Sequence, residues 1–294
     1  MGEKVHGWYR AIFERHSRRS FSKSRIDEET LRSLSRLIEK LNEESDAARI
    51  ALVREHDGSI FTGIRGGYGI IRGAPSYFAF IARLETVGAY ERLGYLGEAV
   101  ILEATRLGLG TCWVSGTFDA KAVVSDLTPD SNEKVVVVSP VGYSTKKYAL
   151  NERMMSGLAG SSRRKPIEKL IIKDGKTDGE LDFEKWPRWA RNAVEAARNA
   201  PSAFNRQPWR FRYEENSLIL ETESGGPELG KKSSAAPVSD VTVSDANASG
   251  VKENGGNPEG LLGGKSVYST LKRLDCGIAL RHAAVGAEYT LGEQ

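Results

Sequence analysis

Residues 200–211 read Ala-Pro-Ser-Ala-Phe-Asn-Arg-Gln-Pro-Trp-Arg-Phe, and this stretch decides the fold. It follows an amphipathic helix predicted over residues 189–199, in which the apolar side chains fall on one face. Pro201 ends that helix because a proline disfavours helical geometry in the residue before it. From Trp209 onward aromatic and basic residues alternate, which predicts a strand.

The loop between this helix and this strand collects short polar side chains, namely Ser202, Asn205 and Gln207. A loop that carries polar groups between two regular elements is suited to hold a polar ligand. An ordinary connector, in which the two amides only cap backbone groups, accounts for the same residues, since Pro, Ser and Asn are common in turns. Both interpretations remain open at this point.

A second polar cluster lies near the start of the chain, where residues 15–19 read Arg-His-Ser-Arg-Arg. Guanidinium groups give forked hydrogen bonds to phosphate, so this segment is suited to hold one. A solvated basic surface is the alternative. Contact with nucleic acid is the weakest interpretation, because 42 Lys and Arg against 39 Asp and Glu make a mixed surface.

The remaining pattern predicts alternating helices and strands. Apolar residues at helical spacing predict helices at 8–14, 28–41 and 90–107, with a short one near 120. Short β-rich runs predict strands at 49–54, 77–82, 135–138, 211–213 and 218–220.

Composition limits the class of protein. With 294 residues, 39% of them hydrophobic, the chain can bury a substantial core. No apolar run is long enough to span a bilayer and no signal-peptide pattern begins the sequence, which predicts a cytoplasmic protein without a membrane partner. Cys112 and Cys276 lie far apart without zinc-ligand spacing, so no metal site is expected.

Residues 201–209 resemble the Pro-Ser-x-x-Asn-x-Gln-Pro-Trp signature of the nitroreductase family of FMN enzymes. Residues 15–19 are similar to that family's Arg-x-Ser-x-Arg segment. Such enzymes are homodimers with FMN at the subunit interface, where one subunit supplies the loop and the other supplies the arginine segment. The resemblance covers most of the chain.

The resemblance implies a set of flavin-binding residues. Arg15, Ser17 and Arg164 would hold the phosphate and ribityl chain, and Arg19 would lie near the N1 and O2 edge, where a cation favours the reduced ring. A backbone N–H among residues 114–116 would bond N5. The full predicted set is Arg15, His16, Ser17, Arg19, Gly67, Trp113, Val114, Ser115, Gly116, Arg164, Pro201, Ser202, Asn205 and Gln207. Core packing also accounts for the side chain of Trp113.

The two halves of the sequence keep complementary parts of the family site. The first half has the arginine segment, but at Asn42–Asp46 it lacks the proline loop and carries carboxylates that would repel phosphate. The second half keeps the loop. The resemblance therefore implies an α+β fold arranged as a single-chain pseudo-dimer of the TM nitroreductase type. Its two repeats would span residues 1–172 and 173–294, and each would have a central, mostly antiparallel sheet flanked by helices.

One composite flavin site per chain follows from this arrangement, and the chain need not dimerise to bind FMN. Residues 227–267, rich in Gly, Ser and Asn, predict a mobile or partly disordered insertion within the second repeat. It would serve as a lid over the site or as surface decoration.

The function implied is FMN-dependent oxidation of NAD(P)H with a small organic acceptor, such as a nitroaromatic compound or a quinone, by ping-pong transfer through flavin N5. No side chain is expected to be catalytic, since the flavin is the reactive centre. A flavin-binding protein without turnover of an external acceptor, acting as a carrier, a sensor or a flavin-modifying protein, is the alternative. Oxidation of NAD(P)H that accelerates when an acceptor is added distinguishes the two.

Overall fold

The computed structural model describes residues 2–56, 59–61, 71–145, 163–172, 182–214, 216–222, 242–243 and 265–292. The predicted flavin residue Gly67 lies outside this part of the chain. So does the predicted insertion at 227–267, apart from residues 242–243 and 265–267.

The described residues form an α+β fold. The helices are α1 (Gly2–Glu14), α2 (Glu28–Glu43), α3 (Ala89–Arg106), α4 (Ala120–Leu127), α5 (Arg188–Arg198) and α6 (Lys265–Gly292). The strands are β1 (Ala48–Val53), β2 (Ser76–Arg83), β3 (Gly110–Thr111), β4 (Glu133–Gly142), β5 (Trp209–Glu214), β6 (Ser217–Thr222) and β7 (Thr242–Val243). Short 3-10 helices span Ser59–Phe61, Ile167–Lys169, Asp182–Lys185 and Ala203–Asn205. All the predicted helices and strands are found, although α1 begins at Gly2 and not at Trp8.

The first sheet is antiparallel and has the strand order β1-β2-β4-β3. Its central strand β2 is buried along its length except at the last residue, which explains its nearly continuous apolar sequence. Phe80 on β2 packs with residues of α2 and α3 in the main core, whereas Ala79 and Ile81 belong to a second core on the opposite face. The predicted antiparallel sheet covered by helices is thus confirmed.

The second sheet joins β5 and β6 in antiparallel register, and β7 lies parallel to β6. A segment from earlier in the chain, 163–172, lies beside β5. The N–H of Ile172 donates to the carbonyl oxygen of Phe211 (2.8 Å), and the N–H of Phe211 donates to that of Leu170 (2.7 Å). This pairing brings the end of the first predicted repeat into the second sheet.

Helices α3 and α6 cross at two glycines. A Cβ atom at Gly94 would overlap the backbone of Leu274, and one at Gly277 would overlap the backbone of Glu91. Only glycine allows so close an approach of two helix backbones. On the same helix, the missing side chain of Gly97 makes room for the rings of Trp113 and Phe80.

Candidate functional site

The loop from 201 to 207 has an unusual backbone. Phe204, Asn205 and Gln207 all have positive φ angles, of 53°, 54° and 49°. Such left-handed conformations are unfavourable for residues with a side chain, and they persist only where surrounding contacts enforce them. One contact is made by the carboxylate of Asp275 on α6, which accepts the N–H of Ala203 at 3.1 and 3.0 Å. The loop is therefore held in a strained shape from outside.

The two amides of this loop reach the segment that lies beside β5. Asn205 Oδ1 accepts a hydrogen bond from Arg164 Nη1 (2.9 Å), and its Nδ2 donates to the carbonyl oxygen of Arg163 (2.7 Å). Gln207 Oε1 accepts the N–H of Lys165 (2.8 Å). These partners lie far away in the sequence, so the amides do more than cap their own turn. Gln207 is buried and bonded to protein on both sides of its amide, which gives it a positioning role.

The guanidinium group of Arg164 lies within the electrostatic influence of two others. The pKa of Arg164 is lowered to about 10, first by its burial and then by the positive charges of Arg15 and Arg198. Arg198 lies in the last turn of α5 and pairs with Glu195 at 3.2 Å. Like charges brought together in a half-buried site favour the binding of an anion.

Arg15 is the most buried member of this arginine cluster (Arg15, Arg164 and Arg198). Its side chain is 5% exposed. Within the described residues its Nε and Nη1 atoms have no hydrogen-bond partner. Nε lies 3.9 Å from Oε1 of Glu98, which is beyond hydrogen-bonding distance. A buried guanidinium with unused donors is unfavourable unless an anion completes its bonding.

The residues after Arg15 run along the edge of the first sheet. Ser17 forms an isolated parallel bridge with Thr111, and the carbonyl oxygen of Arg19 accepts the N–H of Arg72 at 2.9 Å. Both side chains are half-buried, whereas His16 is exposed. The predicted arginine segment is thus an extended edge that begins at the arginine cluster.

The predicted residues 113–116 differ in their surroundings. Trp113 is half-buried, packs on Phe80 and donates from Nε1 to Glu98 Oε2 at 2.7 Å. Val114 is buried, and its N–H donates to Val138 in the sheet at 2.9 Å. Because that N–H is used, Val114 is not available as a donor to a cofactor. Ser115, which is exposed, and Gly116 remain as the predicted donors.

The structure therefore brings together predicted residues from distant parts of the sequence. Arg164 bonds Asn205, and the charge of Arg15 acts on Arg164. Pro201 and Ser202 begin the loop that carries Asn205, and the hydroxyl of Ser202 accepts the N–H of Gln207. Sequence reasoning missed Arg198, Glu98, His282 and Asp275. A carboxylate within an apolar helix face was the available signal for Glu98 and Asp275, since charged residues are rarely buried without a partner.

Among the residues that the structure describes, no helix has the combined length and apolar character that crossing a membrane requires.

The chain is similar to known proteins of one family. A family model described as "Putative TM nitroreductase" matches residues 8–287. A solved structure from Thermotoga maritima, described as a putative nitroreductase, is 20% identical and covers 97% of this chain and 85% of its own, with a TM-score of 0.52. This likeness shows a shared fold.

Two smaller structures also match. A nitroreductase family protein of Clostridium novyi NT is 21% identical and covers 47% of this chain and 86% of its own, with a TM-score of 0.40. A nitroreductase with bound FMN from Desulfitobacterium hafniense is 18% identical and covers 48% of this chain and 91% of its own, also with a TM-score of 0.40. No curated protein matches the chain. Because the family model spans nearly the whole sequence, the chain belongs to the TM nitroreductase family.

Proposed function

We propose that the protein is an FMN-dependent oxidoreductase that passes electrons from NAD(P)H to a small organic acceptor, such as a nitroaromatic compound or a quinone. Membership of the family supports the reaction class. The observation that carries the proposal is the buried guanidinium of Arg15, whose Nε and Nη1 have no hydrogen-bond partner within the described residues and whose positive charge lowers the pKa of Arg164.

The phosphate of FMN fits this arginine cluster. A phosphate dianion offers several acceptor oxygens and two negative charges, and both would be used by Arg15 and Arg164. Bound there, it would also relieve the repulsion that lowers the pKa of Arg164. We assign Arg15, Arg164 and the neighbouring Ser17 to the phosphate end, and Asn205 to the fixing of Arg164.

The chemistry that FMN supplies when bound is the acceptance of a hydride from NAD(P)H at N5 and, after the nicotinamide leaves, the delivery of electrons to the acceptor. We assign the guanidinium of Arg19 to charge stabilisation at the ring edge, and the N–H of Ser115 or Gly116 to the hydrogen bond at N5. Trp113, held by Glu98, would flank the ring. These assignments follow the family resemblance.

We further infer that the site is composite, with Arg15 from the repeat at 1–172 and Asn205 from the repeat at 173–294. The segment 163–172 supports this inference, because it leaves the first repeat and bonds to the loop and strand of the second. The glycine crossing of α3 and α6 supports it too, since two equivalent helices of a dimer would pack in this way. One FMN per chain is the expected result.

The first experiment is to saturate the purified protein with FMN, remove free flavin, and measure bound flavin per chain. We expect about one FMN per chain, and oxidation of NADH or NADPH that accelerates when a quinone is added. Binding without such turnover would point to the carrier or sensor alternative. Absence of binding would contradict the proposal.

Arg15→Gln tests the observation itself. We expect FMN affinity to fall about 100-fold, since hydrogen bonds to charged groups contribute about 1.5–3 kcal/mol each. The flavin-free variant should be at least as stable as the wild type, because an incompletely bonded buried charge has been removed. The control is Arg10→Gln, whose side chain is 80% exposed and, within the described residues, pairs with Glu14 on its own helix. Equal FMN affinity of the two variants would exclude Arg15 from the site.

A further inference from the structure

A buried ionisable pair lies directly behind the arginine cluster. Glu98 on α3 and His282 on α6 are both fully buried, and His282 Nε2 lies 2.9 Å from Glu98 Oε1. The other ring nitrogen, Nδ1, lies 3.1 Å from the carbonyl oxygen of Ala196 on α5. The second carboxylate oxygen of Glu98 accepts the indole N–H of Trp113.

These distances restrict where protons lie. The carbonyl oxygen of Ala196 can only accept, so Nδ1 of His282 must carry a proton to make this bond. If the ring is neutral, its Nε2 then has a lone pair, which would face another lone pair on an ionised Glu98. In a fully buried place such an unmade bond is unfavourable, because no water can replace it.

Two arrangements make every bond. Either His282 carries protons on both nitrogens and Glu98 is ionised, or His282 is neutral with Nδ1 protonated and Glu98 keeps its own proton. In both, one proton lies between Glu98 and His282, and the pair has no net charge. The neutral pair suits the interior, where a single charge is strongly disfavoured.

We propose that Glu98 and His282 share one buried proton and act as positioning residues, which fix the side chain of Trp113 at the flavin site and leave the charge of Arg15 available to a phosphate. The inference rests on the function proposed above. Glu98 contacts Trp113 through one oxygen and lies 3.9 Å from Arg15 Nε through the other. With the proton in place the pair offers Arg15 no net negative charge, which leaves its guanidinium for a phosphate.

Glu98→Gln separates the proton from the hydrogen bonds. A glutamine amide oxygen can accept from Trp113 while its NH₂ donates to Nε2 of a neutral His282, whose Nδ1 still donates to Ala196. Glu98→Met is the contrast, since it keeps a similar volume and makes neither hydrogen bond. The two variants have no net charge in this pair, so only the hydrogen bonds to Trp113 and His282 distinguish them.

The first readout is the ¹⁵N NMR spectrum of the imidazoles in the flavin-free protein, with His282 assigned by its loss in His282→Gln among the four histidines. We expect Nδ1 of His282 to be protonated in the wild type and in Glu98→Gln. A neutral ring protonated only on Nε2 would overturn the shared proton. This readout needs no flavin, so it decides the inference even if FMN does not bind.

The second readout is FMN affinity. We expect Glu98→Gln to bind within about twofold of the wild type and Glu98→Met to bind about tenfold more weakly, as for contacting residues of one network. Wild-type affinity in Glu98→Met would overturn the positioning role and leave the proposed function intact. Loss of FMN binding by the wild type itself would overturn the proposed function. If Glu98→Met does not fold, Trp113→Phe tests the same contact, with weaker binding expected and unchanged binding overturning the role.

Discussion

Two connections in this molecule each lead from a helix to a strand, but different contacts hold them in place. Residues 42–47 comprise the end of α2 and the turn that leads to β1, and residues 199–208 join α5 to β5. The side-chain bonds of the first connection are local: the amide of Asn42 bonds the N–H and the carbonyl oxygen of Ile50, and the hydroxyl of Ser45 accepts two N–H groups within three residues. Its distant bonds are made by backbone carbonyl oxygens, those of Glu44 and Ala47, which accept from Arg92 and Arg83. The second bonds to a segment about 40 residues earlier and to α6. Side chains that bond only to nearby residues are typical of an ordinary turn. Side chains that bond to distant segments indicate a loop shaped for a binding site.

The backbones differ in the same sense. Residues 42–47, all of them described, contain no positive φ angle, whereas the second connection has three in residues with side chains. Strain of this kind is maintained by the surrounding contacts, and it is concentrated at functional sites. The difference between the two connections therefore supports the second as the one shaped for a ligand.

The two connections are best distinguished by removing one side-chain amide from each, that of Asn205 and that of Asn42. Asn205→Ala should lower FMN affinity about tenfold, because Arg164 loses the amide that orients its guanidinium. Asn42→Ala should leave FMN affinity unchanged and lower the free energy of unfolding by about 1–3 kcal/mol, because two backbone groups of Ile50 lose their partner. Flavin titration and chemical denaturation measure the two effects. Equal loss of FMN affinity in both variants would contradict the assignment of the site to one connection.

A second, smaller effect concerns how each connection is anchored. Burial raises the pKa of Asp275 well above its usual 3.8. The hydrogen bond from the N–H of Ala203 and the positive charge of Arg206 lower this pKa, but burial is the larger effect. Because the folded pKa exceeds the unfolded one, the stability that this group contributes is complete below about pH 3.8 and is lost as the pH rises through the folded pKa. Asp275→Asn still accepts the N–H of Ala203, so it should raise the thermal unfolding temperature at pH 7 and leave it unchanged at pH 3.5.

Ser45→Ala is the matched change in the first connection. It removes a neutral anchor, so its loss of stability should be the same at every pH between 4 and 8. Thermal unfolding across this range measures both variants. If Asp275→Asn destabilised the protein equally at all pH values, its carboxylate would be balanced by a counter-charge, and burial would not dominate.

Sequence predicted the elements of the fold well because their signals are local. The spacing of apolar residues marks α2 and α3, and Asp27, a residue type that favours helix starts, caps α2 by accepting the N–H of Thr30. The amides of the second connection were singled out for the same reason, since Pro201 and the residues after it stand between a helix and a strand.

The partners of these residues were not predictable in the same way. Nothing in the spacing of Asn205 indicates Arg164, and the pairing of Glu98 with His282 depends on how α3 crosses α6. That crossing occurs at Gly94 and Gly277. Long-range contacts are set by packing of whole elements, which a local pattern does not contain.

The smallest expected effect tests the strain itself. Phe204 has φ 53° and ψ 25° with its ring about half exposed, so glycine should relieve the left-handed backbone and raise the free energy of unfolding by about 0.5 kcal/mol, after the loss of chain entropy and of the Arg206 contact. Glu44, with φ −81°, is unstrained, and Glu44→Gly should lower it by about 0.5–1 kcal/mol. Denaturation of both variants measures the signs. Both substitutions place glycine in a connection between a helix and a strand. A rise in the free energy of unfolding for Phe204→Gly and a fall for Glu44→Gly would show that backbone strain distinguishes the two connections. A fall for both variants would show that it does not.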